Sequence, residues 1–146
     1  MEQREGSDRI ERIPACDRGQ WEYAARGGNE SPGNYTYSGS DTVGDVAWYS
    51  SNSGSKTHQV GWKTANGLGL YDMSGNVSEW VWDWSADDYS YTGNDQTDPT
   101  GVSSGVSRVL RGGSWFYSAT IVRSAFRLSY PPSYRNDDFG FRLLRP

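Results

Sequence analysis

The sequence predicts an α+β domain with short strands, few helices and much irregular loop. It has 7 Trp, 10 Tyr and 18 Gly but only 34% hydrophobic residues. Aromatic rings, each burying about 150–250 Å², must therefore supply much of the core. Helical and strand patterns are short, and two long polar stretches separate them. Because 146 residues suit one domain, we expect residues 1–146 to form a single unit.

Charge and cysteine content exclude several classes of protein. The net charge of −4 makes nucleic acid an unexpected partner. Cys16 is the only cysteine, so the chain has no internal disulfide and no cysteine-based zinc site. No apolar run approaches the roughly 20 residues that span a bilayer, so we expect no membrane span. Composition leaves the localisation unknown.

The first predicted element is a helix over Gln20–Gly28. Trp21, Ala24 and Ala25 share one face by their i, i+3, i+4 spacing, and the glycine pair at the end stops the helix. The stretch that follows, residues 29–45, is polar and predicts a long loop. Loops of this length in a compact domain are usually functional or held in place by other groups.

The next predicted element is a strand over Glu79–Trp84. Its residues alternate strictly, with Trp80, Trp82 and Trp84 on one face and carboxylates and valine on the other. We expect the tryptophan face to be buried. A second loop, rich in Ser, Gly and Asp, follows this strand.

Two further strands are predicted near the C-terminus, in "RVLRGGSW" and "FGFRLLRP". The glycine pair in the first indicates a bulge or a close backbone approach. Arg111 just before it is expected to pair with a carboxylate or with backbone carbonyls, and an anion site is the alternative. Trp115 is expected to be largely buried.

The turn in "GLYDMSGNVSEW" is a candidate metal site. Carbonyls around Gly75 and Val77, together with the Glu79 carboxylate, provide the oxygen ligands that calcium prefers. A structural calcium ion would hold a loop that lacks an apolar anchor. The alternative is that Asn76 and Glu79 hydrogen-bond to nearby backbone amides.

Four motifs together resemble a known family. "WEYAARGG", "GLYDMSGNVSEWVWDW", "RVLRGGSW" and the closing "GFRL" are similar to the formylglycine-generating-enzyme, or sulfatase-modifying-factor, family. The resemblance implies a C-type-lectin-like fold, often with calcium at the turn that matches Gly75–Glu79. The N-terminal strands of the family are shortened or absent here.

The chain departs from the catalytic members in one segment. Those members carry a cysteine pair after "GGSW", whereas this chain reads "FYSATIVRSAF", with Val122 at a position where cysteine is common. The family's copper-dependent thiolate chemistry then has no carrier. Cys16 lies outside this segment, and His58 is a lone histidine without a nearby nucleophile. We therefore expect no enzyme activity.

A subgroup with this fold gives the segment another role. The chain is most similar to the variable proteins of diversity-generating retroelements, whose C-terminal segment is rewritten at template adenines, mainly in Asn codons. Such codons do not yield Lys, Glu, Gln, Met or Trp. Residues 116–139 contain none of these five, although the other 122 residues contain 21 of them. The resemblance thus predicts a variable segment at about residues 115–139.

This segment divides into two predicted sets. The framework set is Arg123, Ser124, Ala125, Arg127, Pro132, Arg135 and Gly140. The substitutable, ligand-binding set is Phe116, Tyr117, Thr120, Ile121, Phe126, Leu128, Ser129, Tyr130, Tyr134, Asn136, Asp137 and Asp138. Tyr and Phe give large contact area at low entropic cost, and Ser, Asn and Asp give adaptable hydrogen bonds, as in antibody-like surfaces.

The sequence predicts a non-catalytic binding protein for a protein or cell-surface ligand. A variable protein of this kind would act at a cell or virion surface. Two alternatives remain: a non-catalytic accessory or structural domain of the family, and an enzyme of the sulfatase-modifying type. A template repeat and a reverse transcriptase gene beside the coding sequence would distinguish the binding protein from the accessory or structural domain.

Overall fold

The computed structural model describes residues 16–30, 33–85 and 102–143. Their fold is α+β with short strands and mostly loop, as the sequence predicted. The helices are α1 (Arg18–Ala25), a 3₁₀ turn (Gly28–Glu30) and α2 (Val43–Val46). The strands are β1 (Ala47–Trp48), β2 (Ser74–Gly75), β3 (Ser78–Trp84), β4 (Arg108–Arg111), β5 (Arg127–Tyr130) and β6 (Phe139–Phe141).

A four-stranded sheet with the order β5-β4-β3-β6 organises the described residues. β3 and β5 each run antiparallel to β4, whereas β6 runs parallel to β3. β1 and β2 form a separate parallel pair. The sequence predicted β3, β4 and β6 but not β5. Most of the second predicted loop, residues 86–101, lies outside the described residues.

Local capping explains where α1 begins. The Asp17 side chain accepts a 2.7 Å hydrogen bond from the Gln20 amide, and the Gln20 side chain accepts one from the Asp17 amide. This reciprocal capping box satisfies two amides of the first turn. The helix therefore starts two residues before the predicted Gln20, and Gly27, at φ 87°, turns the chain away from it.

The core lies between α1 and one face of the sheet. Trp21 and Ala25 from α1 pack with Met73, Val81 and Val109. The indole nitrogen of Trp21 donates a 2.8 Å bond to Glu79 Oε2, so the largest core side chain leaves no buried donor unpaired. One indole thus anchors the helix by both its area and its polar atom.

The predicted burial of the tryptophan face of β3 is wrong at Trp82. Trp82 is 63% exposed, and Trp80 and Trp84 are only partly buried. On the opposite face, the carboxylates Glu79 and Asp83 are buried together with Val81. Trp115, also expected to be largely buried, is half-buried.

Distant partners explain this inversion of the faces. Arg142 makes two hydrogen bonds with the Glu79 carboxylate, at 2.7 and 3.0 Å. The Arg18 amide donates a 2.7 Å bond to Asp83 Oδ2, and Arg18 Nε lies 3.5 Å from Oδ1. Because these groups neutralise the carboxylates, the acidic face can pack against α1.

Within the described part of the chain, no helix has the length and apolar character needed to cross a membrane.

Candidate ligand-binding surface

Arg111 ties the predicted variable segment to the core. Its guanidinium donates to the carbonyls of Ser124, Ala125 and Phe126 at 2.8–3.1 Å, and it forms a 2.7 Å ion pair with Glu22 of α1. The side chain is only 3% exposed. The predicted pairing with a carboxylate and with carbonyls is therefore confirmed. Its segment partners are backbone atoms, which every residue type carries.

Other anchors of the segment also use its main chain. The Ser50 amide donates to the Tyr117 carbonyl at 2.9 Å, and the Ser53 hydroxyl donates to the Trp115 carbonyl at 2.9 Å. At the far end, the Ser78 amide donates to the carbonyl of residue 138 at 2.8 Å. Because the anchored atoms belong to the backbone, the path of the segment does not depend on these side chains.

Four of the predicted ligand-binding side chains form a continuous row of rings. Phe116 meets Tyr117 edge-on with centroids 5.6 Å apart, and Tyr130 stacks on Tyr134 at 4.9 Å. Burial raises the pKa of Tyr117 well above its usual range, and a hydrogen bond with Tyr130 raises it further, linking the two pairs. Phe116 is 64% and Tyr134 44% exposed. We name Phe116, Tyr117, Tyr130 and Tyr134 the aromatic row.

The other predicted positions differ in exposure. Thr120, Asn136 and Asp137 are exposed, whereas Ile121, Phe126, Leu128 and Ser129 are partly buried. In β5, Leu128 lies opposite Leu110 and Ser129 opposite Val109. Because alternate residues of a strand point to opposite faces, Leu128 belongs to the face that carries the aromatic row and Ser129 to the face toward α1.

Asp138 does not belong to an exposed set. It is 2% exposed, and its Oδ2 accepts a 2.5 Å hydrogen bond from the buried hydroxyl of Ser114. Its own carbonyl anchors β3, as described above. Asp138 is therefore a structural residue that closes the segment, and its inclusion among the substitutable residues is wrong.

Two of the predicted framework residues, Arg123 and Arg135, act through backbone contacts, whereas Ser124 is buried. Arg123 Nε donates to the Thr120 carbonyl at 2.8 Å, and Arg135 Nη1 donates to the Pro132 and Tyr134 carbonyls at 2.7 and 3.0 Å. Both arginines are exposed. Each holds the shape of its own loop and stays open to solvent.

A groove that the sequence did not predict lies beside the aromatic row. It has a volume of about 600 Å³ and runs between β3, β6 and the loop after β5. Trp82 and Phe141, 63% and 70% exposed, line it. The strict alternation of β3 indicated that the tryptophans share one face, but it did not show that this face points to solvent. The groove is taken up below.

Of the predicted calcium ligands, Glu79 is already occupied by protein donors in this arrangement. Both Glu79 oxygens already accept hydrogen bonds, from Arg142 and from Trp21. The Asn76 side chain exchanges two bonds with the backbone of His58, at 3.0 and 3.1 Å. The alternative interpretation therefore holds for Asn76, whereas Glu79 bonds to side chains and not to backbone amides. Gly75 and Val77 lie at this turn, but its one carboxylate is committed to an arginine. Calcium here stays a prediction that Glu79 does not support.

The positions relevant to cysteine chemistry are closed. Val122 is fully buried against Gly113, so it packs the core at the position where the family resemblance implied a cysteine in catalytic members. Cys16 lies under the sheet, where burial raises the pKa of its thiol to about 11, with the nearby Glu79 carboxylate adding to the rise. A thiol of this kind carries almost no thiolate at neutral pH.

The fold and this surface define a C-type-lectin-like domain with an aromatic face on its C-terminal segment. The family model described as "sulfatase-modifying factor enzyme 1-like domain" matches residues 12–146. The chain therefore belongs to the sulfatase-modifying-factor family, as its four motifs predicted.

Solved and curated relatives support this placement. Variable protein 1 of Treponema denticola is 45% identical with a TM-score of 0.80, over 88% of this chain and 46% of that one. The chaperone protein LppX of Paenibacillus barcinonensis is 34% identical over 86% of this chain and 46% of its own length. The formylglycine-generating enzyme of Streptomyces coelicolor is 40% identical over 53% of this chain and 25% of its own. The chain thus spans less than half the length of each of these relatives.

Proposed function

We propose that this protein is a non-catalytic ligand-binding protein that recognises a protein or cell-surface ligand through the aromatic row. The observation that carries the proposal is the separation of roles within residues 115–139. Backbone atoms hold the segment in place, while large side chains such as Phe116 and Tyr134 face solvent. Such a segment tolerates new side chains without losing its path.

Similarity to a variable protein supports the same function. The likeness to variable protein 1 covers most of this chain, at 45% identity. The 24 residues from 116 to 139 have the composition that rewritten Asn codons produce. The buried, protonated Cys16 and the buried Val122 argue against the thiol chemistry of the enzymes in the family.

Two libraries test the proposal without knowledge of the ligand. The first randomises Phe116, Thr120, Tyr134 and Asn136 to the residues that a rewritten Asn codon encodes. The matched control applies the same codons to four buried residues of the same region, namely Ser114, Val122, Ser124 and Asp138. Resistance to protease on the yeast surface measures the folded fraction of each library.

Most members of the first library should fold, because exposed substitutions usually change stability by within about 0.5 kcal/mol. Few members of the control library should fold, because each creates a cavity, a clash or an unpaired buried group. Selection of the first library on lysozyme should then yield binders. Equal loss of folding in both libraries, or no binder from the first, would contradict the proposal.

The gene neighbourhood gives an independent test. A retroelement variable protein requires a nearby template repeat, nearly identical to the codons for 115–139, with adenines at the substitutable positions and a reverse transcriptase gene beside it. Absence of both from the complete genome would favour the accessory-domain alternative.

A further inference from the structure

The groove beside the aromatic row has an apolar floor and a polar rim. Among its lining residues we call the rings of Trp80, Trp82 and Phe141 the floor, and Pro132, Tyr134, Arg135 and Asn136 the rim. Large exposed rings of this kind are characteristic of interaction sites. The volume and the apolar lining do not by themselves indicate a class of ligand. The positive charges of Arg108 and Arg135 do.

Arg108 places a positive charge at this groove without a counter-ion in the described structure. Its guanidinium carbon lies 3.7 Å from the Trp84 ring centroid and 4.7 Å from that of Trp82. Its Nη1 is buried without a hydrogen-bond partner, and no carboxylate in residues 16–30, 33–85 or 102–143 forms an ion pair with it. The two indoles hold the guanidinium in position beside the groove.

Arg135 brings a second positive charge to the groove. Arg135 donates to two carbonyls of its own loop, and among the same described residues it too lacks a carboxylate partner. Among the described residues that line the groove, none has an acidic side chain. The groove therefore combines an apolar floor with two cationic groups, which is complementary to an anion attached to an apolar side chain.

The floor and the rim also differ in their place in the sequence. Trp82, Arg108 and Phe141 lie outside the segment 116–139, whereas Tyr134 and Asn136 lie inside it. Rewriting at the substitutable positions would change Tyr134 and Asn136 and leave the floor, Arg108 and the framework residue Arg135 as they are. Every version of the protein would then share the same floor.

We propose that this groove is a constant anchor for an acidic segment of a partner protein. A carboxylate of the segment pairs with Arg108 and Arg135, and a neighbouring apolar or aromatic side chain packs on Trp82 and Phe141. The inference rests on the proposed binding function and specifies its partner class. A purely apolar ligand would leave the guanidinium without an acceptor, and the net charge of −4 disfavours a polyanion such as nucleic acid.

A pair of blocked tetrapeptides tests the anchor. One has the sequence Phe-Asp-Phe-Asp, and its control has both acids replaced by Asn. Binding is followed by NMR of the indole N–H groups of the ¹⁵N-labelled protein. The acidic peptide should shift the Trp82 indole signal and bind about tenfold more tightly than the control, equivalent to about 1.4 kcal/mol. About 0.5 M salt should reduce this difference by screening.

Substitutions in the groove separate its two parts. Arg108→Gln and Arg135→Gln should each reduce the preference for the acidic peptide, and Phe141→Ser should weaken both peptides. Arg108 packs against two indoles, so the Arg108→Gln variant could fail to fold. The substitutions at Arg135 and Phe141 keep the test valid in that case, because both side chains are exposed. Lys56→Gln removes an exposed charge that does not line the groove and should change nothing.

Equal binding of the two peptides, or an unchanged Trp82 signal, would overturn the anchor. This test is independent of the library test above. Peptide binding combined with a failed library supports the groove and refutes the diversified surface. A tolerant library without peptide binding supports the surface and overturns the groove.

Discussion

Replacing Arg111 by methionine should destabilise the whole domain. The change removes an ion pair with Glu22 and hydrogen bonds to three carbonyls at 2.8–3.1 Å, all at a side chain that is almost fully buried. Breaking a buried charged network of this kind costs about 3–5 kcal/mol. Methionine fills most of the volume, so the loss comes from the polar groups rather than from a cavity.

The expected change is measurable by thermal and urea unfolding. A loss of 3–5 kcal/mol corresponds to a melting temperature lower by roughly 6–20 °C for a chain of this size, at about 2–4 °C per kcal/mol. Arg111→Lys should lie between the parent and the methionine variant, since one ammonium cannot replace a planar fork that reaches four oxygens. Hydrogen exchange should also accelerate at the amide of Ser124, which donates to the Thr36 carbonyl.

The matched control is Arg123→Met in the same segment. Arg123 is exposed and donates to one carbonyl, so its loss should cost no more than about 0.5 kcal/mol. If Arg111→Met lowered stability by less than 1 kcal/mol, or by the same amount as the control, Arg111 would not hold the segment and the backbone-anchoring argument would fail.

Three other outcomes are expected. Asp138→Ala should lower the melting temperature by several degrees, whereas Tyr134→Ser should change it little, because a buried unpaired Ser114 hydroxyl costs about 1–3 kcal/mol; equal effects in thermal unfolding would contradict the burial of Asp138. Ellman's reagent at pH 8 should label Cys16 only after urea is added, since its pKa is about 11 when folded; prompt labelling of the native protein would refute the buried thiol. Excess chelator should leave the melting temperature unchanged, because the Glu79 carboxylate is paired with Arg142. A melting temperature that rises when calcium is added would instead support the predicted calcium site.

Local sequence patterns predicted the elements better than their surroundings. The helix face of Trp21 and the alternation of β3 were visible in the spacing alone. The spacing did not show which face of β3 is buried, because Glu79 and Asp83 become buried only through Arg142 and Arg18, each more than 60 positions away. A local sequence pattern places carboxylates in solvent because it does not contain the distant residues that pair with them.

The candidate surface was predicted in a similar, partial way. Composition located the segment, and the aromatic row was among the residues named. Asp138 was misplaced because its burial depends on Ser114, which is 24 residues distant. The groove was missed because Arg108 meets Trp82 and Trp84 only after β3 and β4 pair. Contacts formed by tertiary structure carry no signal in local spacing.

The attachment of the segment by carbonyls has a consequence for its evolutionary history. A carbonyl is inherited unchanged whatever the codon encodes, so the carbonyls of residues 125 and 126 stay available to Arg111 when those side chains change. Under the proposed diversification, a new surface would arise without a compensating mutation elsewhere in the gene. Descendants would then diverge quickly within one short stretch while the rest of the domain drifts slowly, and the codon for Arg111 would be among those that lineages retain.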